Sequence, residues 1–175
     1  MTIDIRQETT QDRPRIRDII LAAFDDGTDG EDAVEAALTD ALFADDGYLL
    51  ALSLVAVDDG EIVGFVIGTR GWVGDDPAIG IGPLAVIPHA QGGGIGSALM
   101  TRLIDDAAAA GEHVLALLGD PEYYARFGFR TAADLGIEAP DPEWGRHFQA
   151  LRIPEGQSES PIRGTFRYAA PFDEL

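Results

Sequence analysis

The sequence has no cysteine and no lysine among its 175 residues. The first absence excludes disulfides, thiolate metal sites and a cysteine nucleophile. The second excludes a phosphate loop of the G-x-x-x-x-G-K-[ST] type, whose lysine reaches the phosphates. Positive charge is scarce altogether: 12 arginines stand against 31 carboxylates, for a formal net charge of −19. Nucleic acid would be repelled overall, and the arginines at 13, 15 and 17, diluted by Asp12 and Asp18, read as a solvated helix face. Long apolar runs are missing too. No stretch approaches the roughly 18 to 20 uninterrupted apolar residues of a membrane span, and Met1-Thr2-Ile3-Asp4 lacks a basic region followed by an apolar one. The expectation is a cytoplasmic protein with no membrane partner. His89, His113 and His147 are scattered, with no two at the helical spacing of a metal pair, so no metal site is expected.

The length is that of one ordinary domain, and a 46% hydrophobic content suits a chain that buries its own core. Such an acidic, lysine-free surface fits adaptation to high salt, where dense carboxylates stay hydrated and their repulsion is screened. A GC-rich genome favouring Arg, Ala, Gly and Asp codons accounts for the same composition, and the two readings stay open.

The most informative stretch runs from Leu84 through Gln91-Gly92-Gly93-Gly94-Ile95-Gly96-Ser97 to Leu99, where a buried-type strand passes through a glycine loop into a helix. Successive glycines leave the amides of residues 92–97 free of side-chain cover, and the helix start adds partial positive charge. A diphosphate can dock there without lysine. A dinucleotide-binding fingerprint fits poorly, because Ser97 and Leu99 stand where a third glycine or alanine belongs.

The wider pattern, Leu84-x-Val86-x-Pro88-x-x-Gln91-x-x-Gly94-x-Gly96 followed by Tyr124-x-x-x-Gly128-Phe129, resembles the GNAT superfamily of acyl-CoA N-acyltransferases. The specific match covers roughly residues 82–129. The resemblance implies acetyl-CoA as co-substrate and a primary amine, small molecule or peptide, as acceptor, with a second copy of the chain as a candidate partner. It implies that the loop Gln91, Gly92, Gly93, Gly94, Ile95, Gly96 and Ser97 binds the coenzyme A pyrophosphate. Outward main-chain amides on the Leu84-Ala85-Val86 segment would hold pantetheine and thioester. Gly82-Pro83 suits a bend there, since proline cannot donate to a ladder and glycine permits a bulge. Tyr124 matches the family's usual general acid for the departing thiolate, with Tyr123 as the competing neighbour, about 100° away on a helix. Phe127 and Phe129 read as core.

One departure concerns the base. Some relatives carry a glutamate on the strand before the loop, and here that position is Gly80. Asp75, Asp76, Asp120, Glu31 and Asp32 remain as candidates, and so does loss of the amine proton to water. A non-catalytic acyl-CoA-binding module of the same fold is the alternative function. A nucleotide-binding domain of another kind is opposed by the missing lysine and third glycine.

Periodicity predicts a strand over 3–9, then a helix opened by Asp12 and Pro14 with Ile16, Ile19, Ile20 and Phe24 on one face. A second helix is predicted with Ala33, Val34, Ala37, Leu38 and Leu42 as its apolar set. A hairpin follows, 49–57 and 62–68 around Asp58-Asp59-Gly60. Next come a strand over 79–87, a helix from Ile95, a buried strand over 114–118, and a short helix from Pro121 to Tyr124. Late strands at Phe129, 148–153 and 165–170 surround a polar loop at 136–146. This order gives an α/β (α+β) mixed sheet with helices on both faces. The resemblance implies a GNAT-like fold, a twisted, mostly antiparallel sheet whose fourth and fifth strands splay apart.

Overall fold

The computed structural model describes residues 2–25, 33–153 and 161–174. β1 (Ile3–Gln7) is followed by α1 (Arg13–Ala23) and α2 (Ala33–Phe43), then by β2 (Tyr48–Asp58), β3 (Glu61–Val73) and β4 (Asp76–Val86). α3 (Ile95–Ala109), β5 (Val114–Leu118) and α4 (Pro121–Tyr124) come next, and β6 (Arg130–Thr131), β7 (Ile137–Glu138), β8 (Phe148–Arg152) and β9 (Gly164–Arg167) complete the chain. The nine strands among the described residues run in the order β1-β2-β3-β4-β5-β8-β6, with β9 joined to β3 and β7 to β9. Along the main path every pair is antiparallel except β4–β5. The sheet is mixed and mostly antiparallel, as expected.

Local chemistry explains the central hairpin. Asp58 pairs with Glu61, leaving Asp59-Gly60 as a two-residue turn with φ of 51° and 82°, the left-handed pair that matches strand twist. Side-chain alternation then sorts the core. Leu52, Leu54 and Ala56 of β2 meet Ile95, Leu99, Met100, Leu103 and Ala107 of α3. Val55 of β2, with Phe65 and Ile67 of β3, packs on Ile16, Ile19 and Ile20 of α1 and Leu38 and Leu42 of α2. Helices thus cover both faces. Each fully buried leucine of this set contributes roughly 1.5–3 kcal/mol of transfer free energy.

The structure corrects several expectations. β3 and β4 extend well past the predicted 62–68 and 79–87, through Thr69↔Gly80, Arg70↔Ile79 and Gly71↔Ala78. Glycines and Arg70 interrupt the apolar pattern there. The ladder persists because Arg70 bonds Glu112 bidentately and the Phe166 ring of β9 fills the space over Gly71. On α2 the buried set is Ala36, Leu38, Thr39 and Leu42, while Val34 and Ala37 are exposed. That helix is apolar almost all round, so periodicity alone does not set its phase. The predicted polar loop contains β7 and a helical stretch over Pro142–His147, because Ile137 and Glu138 pair with Gly164 and Thr165 far along the chain. The last strand ends at Arg167 and not at 170, and Phe129 is core just ahead of β6.

One irregularity shapes everything that follows. β4 and β5 pair only at Ile79↔Leu115 and Gly80↔Ala116. Beyond that point the strands separate. At the same level Gly82-Pro83 bulges from β4, with Ile67 alone facing two residues between Val66↔Leu84 and Gly68↔Ile81. Gly82 has φ 135° and the peptide to Pro83 is cis.

Candidate functional site

The register decides which amides of β4 face the gap. Ile87 donates to Val63 O at 2.9 Å, so in the antiparallel alternation Ala85 also faces β3, while the amides of Leu84 and Val86 point the other way. They face the opening left by β5.

At the end of β4 the chain turns through Pro88–Ala90 into the glycine loop. Gly92 and Gly94 take φ of 83° and 84°, the left-handed region open to glycine, and Gly94 caps α3. The first α3 bond runs from Ala98 N to Gly94 O, and the amides of residues 92–97 find no acceptor among the described residues. Gln91 steadies this loop from below, its side-chain nitrogen donating to Val86 O at 3.0 Å. A cavity of about 430 Å³ lies over the loop, lined by Gly92, Gly94, Gly96, Ser97, Tyr123 and Arg126 among others. Unpaired amides, a helix N-terminus and one guanidinium make it a receptor for anionic oxygen.

Leu84 also lines a second, larger cleft of about 1060 Å³, which holds Pro83, Leu117, Leu118 and Tyr124. Glycine loop and cleft therefore meet at the splayed strands. α4 sets the two tyrosines apart, with ring planes at 90° and centroids 4.9 Å apart. Asp120 starts that helix by accepting from Glu122 N at 3.0 Å. Tyr124 packs its ring edge against Gly119, where an added Cβ would come within 2.5 Å of Cε2. Tyr123 turns to the loop instead, its hydroxyl 2.9 Å from where a Cβ at Gly96 would stand. Arg126 stacks on the Tyr123 ring at 4.4 Å and donates to Tyr123 O at 2.9 Å. Burial pushes the Tyr124 phenol up to about 12, with Tyr123 and Asp120 adding to the shift. It stays protonated at neutral pH, as a proton donor must.

The carboxylates singled out in the sequence that fall among the described residues are not drawn together. Asp75 and Asp76 sit at the far end of β4, eight or more residues from Leu84 and so about 25 Å along the strand. Asp120 is engaged as a helix cap, and Glu31 and Asp32 lie outside the described residues. His113 Nδ1 is 3.0 Å from Ile153 O, a strand-end contact. No cluster of metal-ligating side chains occurs among the described residues. Arg126, Arg70 and Tyr168 are among the lining residues that escaped the sequence reading. Arg126 sits two residues from Tyr124, and a lone cation beside an anion-binding loop was the signal available. Nothing local marks Tyr168.

A model of the Acetyltransferase (GNAT) family matches residues 13–129. The chain belongs to that family. It is 34% identical over 174 residues to the uncharacterized N-acetyltransferase YhbS of Escherichia coli K12, covering 98% of this chain and 99% of the relative. Among solved structures, a GNAT family acetyltransferase from Brucella melitensis in complex with acetyl-CoA superposes with a TM-score of 0.79 at 32% identity, over 98% of this chain and 99% of that one. Escherichia coli YhbS in complex with CoA gives a TM-score of 0.85 at 29% identity, over 98% of this GNAT chain and 92% of that structure.

Proposed function

We propose that this chain transfers an acetyl group from acetyl-CoA to a primary amine, by direct attack within a ternary complex. The observation that carries the reading is the meeting at Leu84 of an amide-lined anion cavity and a cleft walled by a protonated tyrosine. The free amides of residues 92–97, with Arg126, suit the pyrophosphate, and the gap-facing amides of Leu84 and Val86 suit pantetheine lying beside β4 as an added strand. The same amides polarise the thioester carbonyl. The amine nitrogen bonds to the carbonyl carbon, the carbon–sulfur bond breaks, and Tyr124 gives its proton to the thiolate. The proton lost from the acylated nitrogen returns to the tyrosinate through solvent. Related structures that hold acetyl-CoA and CoA support the choice of co-substrate.

The experiment follows free thiol during incubation with acetyl-CoA and a panel of primary amines, a clean readout because the protein has no cysteine. Thiol release that depends on an amine is expected. Calorimetric binding of acetyl-CoA without amine-dependent release from any of the panel would favour the non-catalytic binding module.

A further inference from the structure

Gly80 leaves β4 without a side chain, and the structure shows what stands there instead. An added Cβ at Gly80 would lie 2.5 Å from Cδ1 and 2.8 Å from Cε1 of Tyr168. The ring of a residue 88 positions further on therefore rests directly on the bare strand, at the last β4–β5 pair before the strands separate. The ring is locked from several sides. It stacks on Phe172 with centroids 4.3 Å apart, meets Phe166 edge-on at 4.8 Å, and is bordered by Trp144 at 6.4 Å.

Its hydroxyl, by contrast, makes no hydrogen bond among the described residues, and Tyr168 lines the same cleft as Tyr124. Two phenols thus line one cleft. Burial pushes Tyr168 up, and proximity to Tyr124 adds to it, so it too remains neutral. Around Tyr168 the wall is aromatic, with Phe172 stacked on the ring and Phe166 and Trp144 meeting it at steep angles. The carboxylates Glu35, Asp46 and Asp173 line the same cleft without an ion-pair partner among the described residues. Arg70, paired with Glu112, and Arg167 line the cleft too, and carboxylates outnumber them. An aromatic wall and an excess of negative charge complement a cation on a planar apolar body.

We infer that Tyr168 is the acceptor-positioning residue of this site, its hydroxyl accepting a hydrogen bond from the attacking amine and the aromatic wall to which it belongs packing against an acceptor of the aromatic or planar apolar amine class. This rests on the transferase reading above. The ring takes the space a strand side chain at Gly80 would fill, so the two positions act as one unit.

The test compares wild type with Tyr168→Phe and Tyr168→Ala, using 2-phenylethylamine and tryptamine against n-butylamine and putrescine, with thiol release as the rate and calorimetry for acetyl-CoA binding. Wild type is expected to favour the planar amines. Tyr168→Phe keeps the wall and should raise the acceptor KM about five- to tenfold, the loss of one hydrogen bond, while leaving the acetyl-CoA KM unchanged. Tyr168→Ala should erase the preference for planar amines. A thermal melt of each variant separates misfolding from loss of function, and Tyr168→Phe alone decides the hydroxyl if the alanine variant is unfolded. The inference is overturned if Tyr168→Phe retains the wild-type acceptor KM, if the planar preference survives in Tyr168→Ala, or if wild type uses only the aliphatic amines. Acetyl-CoA binding with turnover of none of the four amines overturns the acceptor class. Failure to bind acetyl-CoA at all overturns the transferase reading itself.

Discussion

Adjacent in sequence, Tyr123 and Tyr124 serve different cavities, and mutation should split their effects. Tyr124→Phe keeps the ring over Gly119 and deletes the donor. Turnover should fall by about 10² to 10⁴-fold, with calorimetric acetyl-CoA affinity nearly unchanged. Tyr123→Phe should do the reverse, weakening acetyl-CoA binding several-fold with little change in kcat, because its hydroxyl lies over Gly96 at the start of α3. Sequence alone offers Tyr123 as the competing neighbour of Tyr124; its hydroxyl beside Gly96 is what gives it a separate prediction. The phenols also predict a pH response. Tyr124 and Tyr168 titrate higher in the folded protein than in the unfolded chain, at about 10 in the latter, so their contribution is complete below about pH 10 and is lost as pH climbs through the folded values. With no lysine to titrate in that range, urea midpoints should stay flat to about pH 9 and fall above about 10, less so in Tyr168→Phe.

At the scale of elements, the glycine loop and the start of α1 carry the predictions. Nothing lies within 4 Å of a Cβ at Gly94, so Gly94→Asp would place its carboxylate in the anion cavity rather than against the fold. Calorimetry should show acetyl-CoA binding abolished with a near-native melt, apart from about 1 kcal/mol for the left-handed backbone. Equal affinity would remove the loop from the site. Asp12 holds the entry to α1: it accepts from Thr9 N at 2.7 Å and pairs with Arg6 at 2.7 Å. The hydrogen bond from Arg6 brings its carboxyl down to about 2. A lowered folded value stabilises the protein above the unfolded value near 4, and that stability is lost as pH falls through about 2. Asp12→Asn should therefore cost about 1 kcal/mol at neutral pH by urea denaturation, with the difference from wild type closing below about pH 4.

For the molecule as a whole, 31 carboxylates are only partly offset by 12 arginines, in pairs such as Arg70–Glu112 and Arg13–Glu8, which leaves a net charge of −19. Self-repulsion among exposed carboxylates should make the melting temperature rise with KCl. If the composition is an adaptation to salt, the rise continues well beyond about 0.1 M, where the Debye length is already about 10 Å. A plateau from that concentration upward favours codon bias instead.

Much of this protein was legible in the sequence because it is written in neighbouring residues. The Asp59-Gly60 turn, the spacing of Ile16, Ile19 and Ile20, and the passage from β4 through Gly92 and Gly94 into α3 depend on backbone freedom and periodicity within a few residues. The two motifs that mark the family lie on such segments. What only the tertiary structure decided depends on contacts between distant parts of the chain. The full length of β3 and β4 needs Glu112 and Phe166, the strand at Ile137 needs Gly164, and the phase of α2 is set by the sheet it lands on. The separation of Tyr123 from Tyr124 required Gly96 and Gly119 to come beneath them. The seat of Tyr168 on Gly80 joins two positions whose sequence separation carries no periodic or propensity signal, since each is an ordinary residue until the fold brings ring and bare backbone together.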